Sequence, residues 1–200
     1  MIRRLSRSEK GATLTEFGLI AMPLCVALLG SFDLAYQMYT RQVLQGVLND
    51  LARRAAVEAP QLGGTGTVDQ RMDTLLEEHV DTIARNAEYE ITKSNFREFS
   101  GIGRPEKLTT DNDGDGKYDA KDDDCFEDLN GNGKFDSNAG RAGRGGADDI
   151  VTYAVTLRMP RLLPMNKLIG LPDEYEIGAS TVIRNQPFAN QAAVATVCGK

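Results

Sequence analysis

The sequence KGATLTEFGLIAMPLCVALLGSF occupies residues 10–32. It contains two small residues, Gly11 and Ala12, then a single carboxylate, Glu16, and then a long apolar run. Counted from Ala12, the apolar segment has about twenty residues, which is enough for a helix to cross a bilayer. Glu16 is the unexpected residue, because a carboxylate in the membrane interior costs about 2.5–3.5 kcal/mol on insertion scales and is usually retained for a function. This stretch therefore predicts a membrane helix with a functional carboxylate near its start.

Charge is distributed unevenly on the two sides of this apolar segment. Residues 1–10 form a basic leader, whereas the whole chain is acidic, with 29 Asp and Glu residues against 23 Lys and Arg residues. The positive-inside bias then predicts a cytoplasmic N-terminus and an exported C-terminal part. A secretory signal peptide fits less well, because Asp33 and Tyr36 interrupt the small residues that follow the apolar run. The acidic excess disfavours nucleic acid as a partner.

The chain continues as a helix beyond the apolar run and then forms a second helix. No strong stop signal appears before about Val57, so we expect one helix over 12–57 that spans the membrane over about 14–36. Its later part is amphipathic, with apolar residues every four positions. After a turn at 60–66, Thr67 and Gln70 form a candidate capping box for the second helix.

Residues 58–200 are expected to form one exported domain that contains a sheet. Apolar and polar residues alternate at Tyr89 and Ile91, over 151–157 and over 175–183. Such alternation predicts half-buried strands in an antiparallel sheet. We therefore expect an α+β fold, in which a long N-terminal membrane-spanning helix packs on a small antiparallel sheet of three or four strands with a second helix.

A second informative segment is DNDGDGKYDAKDDDCFEDLNGNGKFDSNAG, residues 111–140, within an acidic, glycine-rich insertion over 111–146. Its first half follows the order of a calcium loop, in which alternate carboxylates surround one cation, a glycine makes the sharp turn and a backbone carbonyl contributes. The candidate ligands of this loop are Asp111, Asp113, Asp115, Lys117 through its carbonyl, Asp119 and Asp122. The pattern returns with Asp128, Asn130, Asn132, Lys134 through its carbonyl, and Asp136.

Both loops depart from a regulatory calcium loop at the twelfth position, which is Asp122 in the first loop and Ala139 in the second. They resemble the loops of dockerin and thrombospondin type 3 repeats, in which a neighbouring acid, here Asp123, Asp124 or Glu127, completes a ligand shell. An acidic, solvated linker is the alternative, since many Gly, Asp and Asn residues are also typical of disorder. The duplicated order, with an aromatic residue before each ninth position, favours structural Ca²⁺.

The N-terminal motif resembles the class III signal of type IV pilin-like precursors. More narrowly, GATLTEFGLIAMPL at 11–24 is similar to the opening of TadE-like proteins, the minor pilins or pseudopilins of tight-adherence (Flp-type) pilus systems. IGASTVIRNQPF at 177–188 is similar to the end of that family's domain. The resemblance implies a pilin-like fold and work in filament assembly.

The resemblance also implies processing and a role for the carboxylate. A prepilin peptidase would cut between Gly11 and Ala12 on the cytoplasmic side, so that 1–11 is a cleaved leader. Glu16, followed by Phe17, would then meet the new amine of Ala12 in an adjoining subunit, because each charge is costly alone in an apolar surrounding. If Glu16 instead lies at headgroup depth, the helix dipole favours it without any partner.

The implied partners are other pilin subunits, the prepilin peptidase, the inner-membrane pilus assembly machinery and membrane lipid. The implied location is the bacterial inner membrane, crossed once, with the N-terminus cytoplasmic and the C-terminal domain periplasmic, or an extracellular pilus that the subunit joins. The alternative of a different class is a membrane-anchored, calcium-dependent adhesin or binding module that is not processed as a pilin.

Cysteine and histidine usage bears on the remaining possibilities. Cys25 lies in the apolar run, so Cys125 and Cys198 are the pair left that could join outside the membrane. An oxidising compartment permits this disulfide but does not by itself establish it. An enzyme is disfavoured, because His79 is the single histidine and no G-x-S-x-G nucleophile elbow occurs.

Overall fold

The computed structural model describes residues 9–191 and 193–199, and it begins with one helix of 47 residues, α1 (Glu9–Ala55). This helix agrees with the long helix expected over 12–57. By length and composition, the part from Thr13 onward qualifies as a candidate membrane span. Pro23 lies inside the helix, where its missing N–H removes one backbone hydrogen bond. Residues 1–8 of the expected leader lie outside the described residues.

The two halves of α1 have different surroundings. Over 13–32, called the apolar half below, each side chain is exposed or half-buried. Beyond it, buried side chains recur at spacings of three, four or seven residues, apart from one adjacent pair, which places them on one face of the helix. These buried residues are Asp33, Thr40, Leu44, Leu48, Leu51, Ala52 and Ala55. The second half of α1 is therefore part of the domain core.

The second helix is α2 (Val68–Val80), and its predicted capping box is confirmed. The backbone N–H of Gln70 donates to Thr67 Oγ1 at 3.2 Å, and the backbone N–H of Thr67 donates to Gln70 Oε1 at 3.0 Å. These bonds satisfy two of the donors that a helix start leaves free. Met72, Leu76 and Val80 are buried in the same cluster as the buried leucines of α1.

The three predicted strands, joined by a two-residue strand that the sequence does not predict, form the main antiparallel sheet of the domain. Its strands are β1 (Glu88–Phe96), β4 (Arg141–Ala142), β5 (Ile150–Pro160) and β6 (Glu174–Arg184), in the order β4-β1-β5-β6. The pair β5-β6 runs from Ile150 opposite Arg184 to Pro160 opposite Glu174. Alternate residues of these two strands are buried against α1 and α2, and they include Val151, Tyr153, Val155, Leu157, Tyr175 and Ile177. The expected α+β arrangement is confirmed.

A second, three-stranded sheet also occurs, although the sequence does not predict it. Its strands are β2 (Leu108–Thr110), β3 (Cys125–Asp128) and β7 (Ala195–Cys198), and their order is β2-β3-β7. Strands of three or four residues are too short to show an alternating pattern. Single 3₁₀ turns lie at Phe99–Gly101 and Ala120–Asp122. A short helix, α3 (Met165–Ile169), lies in the connection between β5 and β6.

Candidate assembly helix and metal-binding loops

The residues expected to act in processing and assembly all lie at the start of α1. Glu16 and Phe17 have exposed side chains. The backbone at Gly11 and Ala12 is helical, so Ala12 lies one turn before Glu16 on the helix surface. The roles expected of these four residues need a peptidase or a second subunit, and they stay predictions.

The apolar half of α1 presents large side chains to its surroundings. Exposed apolar residues include Leu14, Phe17, Leu19, Ile20, Met22, Leu24, Leu28 and Phe32. A contiguous apolar surface of this extent marks a membrane or protein contact rather than a face toward water. Cys25 is an exposed free cysteine in the same half.

A buried charge cluster marks the point where α1 enters the domain. Asp33, the first buried residue of the range 13–55, is 2% exposed. Arg161 Nη1 donates to Asp33 Oδ2 at 2.5 Å, and Tyr175 Oη donates to Asp33 Oδ1. The Arg161 guanidinium lies 4.5 Å from the centre of the Tyr175 ring, and its Nε donates to the Pro172 carbonyl at 2.6 Å. Each charge in this cluster is thus compensated.

The tyrosines around this cluster extend the contact. The Tyr36 ring lies 5.9 Å from the Tyr175 ring, and Tyr36 Oη donates to the Ile83 carbonyl at 2.6 Å. Burial, followed by the hydrogen bond to Asp33, raises the pKa of the Tyr175 phenol above its ordinary value. The sequence offers one signal for this cluster, a lone carboxylate just after the apolar run, but its partners, Arg161 after β5 and Tyr175 on β6, are distant in sequence.

The two predicted metal loops make matching hydrogen bonds at corresponding positions in their first halves. The carboxylate at position 1 accepts N–H bonds from positions 4 and 6, at 2.8 and 2.9 Å for Asp111 and at 2.7 and 2.9 Å for Asp128. The glycines that donate these bonds have φ between 74° and 77° in both loops, a conformation that favours glycine. The duplication seen in the sequence is therefore a duplication of structure.

The bonds further along the loops match as well. The side chain at position 3 accepts the N–H of position 5, at 3.1 Å for Asp113 and 3.0 Å for Asn130. The side chain at position 5 accepts the N–H of position 7, at 2.7 Å for both Asp115 and Asn132. Such bonds hold alternate side chains toward one centre, which is the geometry that a calcium loop needs.

The first loop brings together three of its five candidate carboxylates, and Asp119 and Asp122 are not part of this group. One carboxylate oxygen from each of Asp111, Asp113 and Asp115 lies within 4.8 Å of the other two. Partial desolvation, followed by repulsion from Asp119 and the other acids, raises the pKa of the Asp122 carboxyl. In contrast, the backbone bond from Gly116 holds the pKa of Asp111 below its ordinary value. A hard divalent cation at this centre would relieve the repulsion through oxygen ligands.

The second loop converges with fewer charges. The side-chain amides of Asn130 and Asn132 both donate to Asp136 Oδ2 at 2.6 Å, so positions 3, 5 and 9 meet. These bonds lower the pKa of Asp136. Position 12 is Ala139, which is buried and supplies no ligand. With two carboxylates against five in the first loop, the second loop is the weaker candidate for a cation.

In each loop, two backbone N–H groups donate to one buried carboxylate that lies outside the twelve loop positions, and we call this carboxylate the brace of the loop. Asp124, fully buried, accepts the N–H of positions 2 and 9 of the first loop, Asn112 at 2.9 Å and Asp119 at 3.0 Å. Glu106 accepts the same two positions of the second loop, Leu129 at 2.7 Å and Asp136 at 3.1 Å. Both oxygens of Asp124 are engaged in this way, which weighs against its use as an extra ligand. Glu106 has no signal in the sequence.

The loops are joined through their eighth positions and through β3. Tyr118 stacks on Phe135 with ring centres 4.8 Å apart, and both rings meet the buried Phe126 edge-on. Cys125 of β3 lies opposite Cys198 of β7, and a disulfide links them. The two loops and the second sheet thus form one aromatic and disulfide-linked unit, called the loop module below.

Comparison with known proteins adds one finding. Residues 11–53 match the sequence model of the family described as TadE-like protein. This match confirms the resemblance seen in the N-terminal motif, and it covers most of α1 and none of the loop module. No curated protein and no solved structure matches the chain.

Proposed function

We propose that this chain, a pilin-like protein associated with Tad pili, is a minor pilin or pseudopilin that assembles through its N-terminal helix into a Tad-type filament, or at the base or tip of one. The match over 11–53 supports the association with the pilus and with a structural, non-enzymatic family. The match and the apolar helix together indicate a membrane-anchored protein.

One observation carries this proposal, the contrast between the two halves of α1. One face of the second half is buried in the domain, whereas the apolar half is exposed or half-buried on each side and carries one acid, Glu16. Such a surface requires lipid before assembly and neighbouring helices after it. The charge of Glu16 then needs compensation in either setting.

The amine of Ala12, formed by cleavage after Gly11, is the compensating group that we assign to Glu16. In an assembled filament the amine comes from an adjoining subunit, and the ion pair sets the axial register of the two helices. Cleavage by the prepilin peptidase takes place on the cytoplasmic side of the inner membrane. The domain lies on the periplasmic side, and the inner-membrane pilus assembly machinery incorporates the subunit into the filament.

Substitution of Glu16 tests the assembly role. Glu16→Ala should leave the subunit in the membrane but remove it from sheared filaments, measured by immunoblot of membrane and filament fractions. Glu58→Ala, at an exposed acid after the end of α1, is the matched control and should assemble normally. Normal incorporation of Glu16→Ala would support the alternative, in which Glu16 rests at headgroup depth with the helix dipole alone.

Structural calcium in the loop module is the second part of the proposal. The matched backbone bonds of the two loops and the clustered oxygens of Asp111, Asp113 and Asp115 support it. The cation would bring order to a segment with little apolar surface of its own, and extracellular modules of this kind bind calcium weakly, with Kd of about 10⁻⁴–10⁻³ M. Calorimetry on the purified full chain should show calcium heats in this range, and their absence at millimolar calcium would exclude the site.

The alternative is a calcium-dependent adhesin or binding module that uses α1 only as an anchor. The separate, disulfide-linked loop module favours it, because that unit is distinct from the sheet that packs on α1. The two functions differ in processing: a mature chain that begins at Ala12 supports a pilin, whereas an intact Met1 supports an anchored adhesin.

A further inference from the structure

The connection between β5 and β6 is an unusually apolar surface segment. It covers residues 162–172, with the sequence LLPMNKLIGLP, and Lys167 is the only charged residue in it. Three of its large side chains are exposed, with Leu162 at 64%, Leu168 at 47% and Ile169 at 52%. We call this segment the apolar connection.

The apolar connection is fixed against α1 at the outer end of the apolar half. Met165 of α3 is fully buried. A Cβ atom added at Gly30 would lie 3.6 Å from Met165 Cε, so the methionine packs on the one residue of this turn that has no side chain. The ion pair of Asp33 with Arg161 holds the start of the connection less than one helical turn further along α1.

Distances along α1 place this contact near a membrane boundary. From Thr13 to Gly30 the helix rises about 25 Å, at 1.5 Å per residue. The hydrocarbon core of a bilayer is about 30 Å thick. If Thr13 lies at the cytoplasmic edge, Gly30 lies just inside the opposite edge, and the contact of Met165 with Gly30 places the apolar connection near this edge.

We infer that the apolar connection is a second membrane contact, which inserts Leu162, Leu168 and Ile169 into the outer interfacial layer of the bilayer beside α1. This inference rests on the membrane insertion of α1 proposed above. The occupant is a lipid surface, because the connection packs on α1 at Gly30, beside an exposed apolar surface that includes Phe32 and continues to Leu34. Lys167 is long enough to extend its ammonium group to the lipid phosphates while its stem stays apolar.

The acids that follow the connection, Asp173 and Glu176, are compatible with a position at the outer membrane interface, because each has a polar partner. Asp173 Oδ1 accepts a bond from Asn166, and Glu176 pairs with Arg158 at 3.4 Å. Asp173 comes directly after the apolar connection, and Glu176 lies on β6, which leads away from the membrane along α1. The contact would hold the domain at a fixed height and tilt, in addition to the single helix.

Depth-dependent quenching on the full chain in liposomes tests this inference. In one sample, a fluorescent label is attached to the native Cys25, which is exposed in the apolar half. Its quenching gives the reference value for a site inside the membrane. In a Cys25→Ser background, the label is placed at Leu168→Cys or at Val182→Cys. Val182 is a matched control, because it is 43% exposed on the same strand pair. Val182 is two residues from Ser180, whose backbone carbonyl accepts a hydrogen bond from the side-chain amide of Gln45. Gln45 lies about 22 Å further along α1 than Gly30, away from the membrane.

The expected result is quenching by spin-labelled lipid at position 168 within about two-fold of that at Cys25, with none at position 182. Quenching at Cys25 with none at 168 would overturn this inference and leave the proposed membrane anchor intact. Absence of quenching at Cys25 would instead overturn the anchor and with it the inference. Protection of position 168 from both lipid quencher and aqueous iodide would show that another protein copy covers the segment, which also overturns it.

Discussion

The carboxylate of Asp33 in α1 pairs with the guanidinium of Arg161, 128 residues later in the chain, and both side chains are nearly buried. The pair sits where the helix changes from an exposed apolar rod to a part of the domain core. The proposed assembly needs a rigid connection between the helix and its domain, and this pair with Tyr175 supplies one.

Loss of Asp33 should destabilise the domain strongly. Asp33→Ala leaves the Arg161 charge buried without its partner, which typically costs 3–5 kcal/mol. Denaturant unfolding of the purified full chain, followed through tertiary structure, measures the change. Asp50→Ala is the control, because the pair of Asp50 with Arg54 is exposed and should cost no more than about 0.5 kcal/mol. Equal effects of the two variants would contradict the structural role of Asp33.

Three of the six tyrosines should resist ionisation in the folded protein. Burial is the main cause that raises the pKa of Tyr153 to about 12, and burial also raises the pKa of Tyr89 and Tyr175. A raised folded pKa gives stability that is complete below the unfolded value near 10 and is lost as the pH rises through the folded value. Absorbance at 295 nm should show three fewer tyrosinates at pH 11 in folded than in unfolded protein. Equal numbers would contradict these buried positions.

The first loop should dominate calcium binding. Asp111→Asn removes a carboxylate whose oxygens lie in the cluster with Asp113 and Asp115, and it should weaken calcium affinity about tenfold or more. Asp128→Asn in the second loop should have a smaller effect, since that loop has fewer charges. Calorimetry measures both variants, with Asp148→Asn, outside the loops, as the control. A larger loss from Asp128→Asn would reverse the assignment.

The buried brace of the second loop can be tested without touching a ligand. Glu106→Gln exchanges one accepting oxygen for a donor facing the N–H groups of Leu129 and Asp136. A buried donor left unpaired costs about 1–3 kcal/mol, so the melting temperature of the loop module should fall. Glu90→Gln is the control, because Glu90 is exposed on β1, outside the loop module. Indistinguishable melting of the two variants would show that Glu106 braces nothing.

The elements predicted from sequence are those with a long periodic pattern. The apolar run, the Thr67–Gln70 capping box and the alternation in β5 and β6 are local signals, and the structure contains each of these elements. The loop motif was also visible, because cation ligation demands a fixed order of residues. The pairing of Asp33 with Arg161, the second sheet and the brace from Glu106 escaped prediction, since each depends on residues far apart in sequence.

The mass of the mature N-terminus in membranes that contain the prepilin peptidase tests the central claim most directly. The account predicts a chain that begins at Ala12, with Gly11 and all preceding residues removed. A chain that retains Met1, or one cut beyond Ala35, would contradict assembly as a pilin-like subunit.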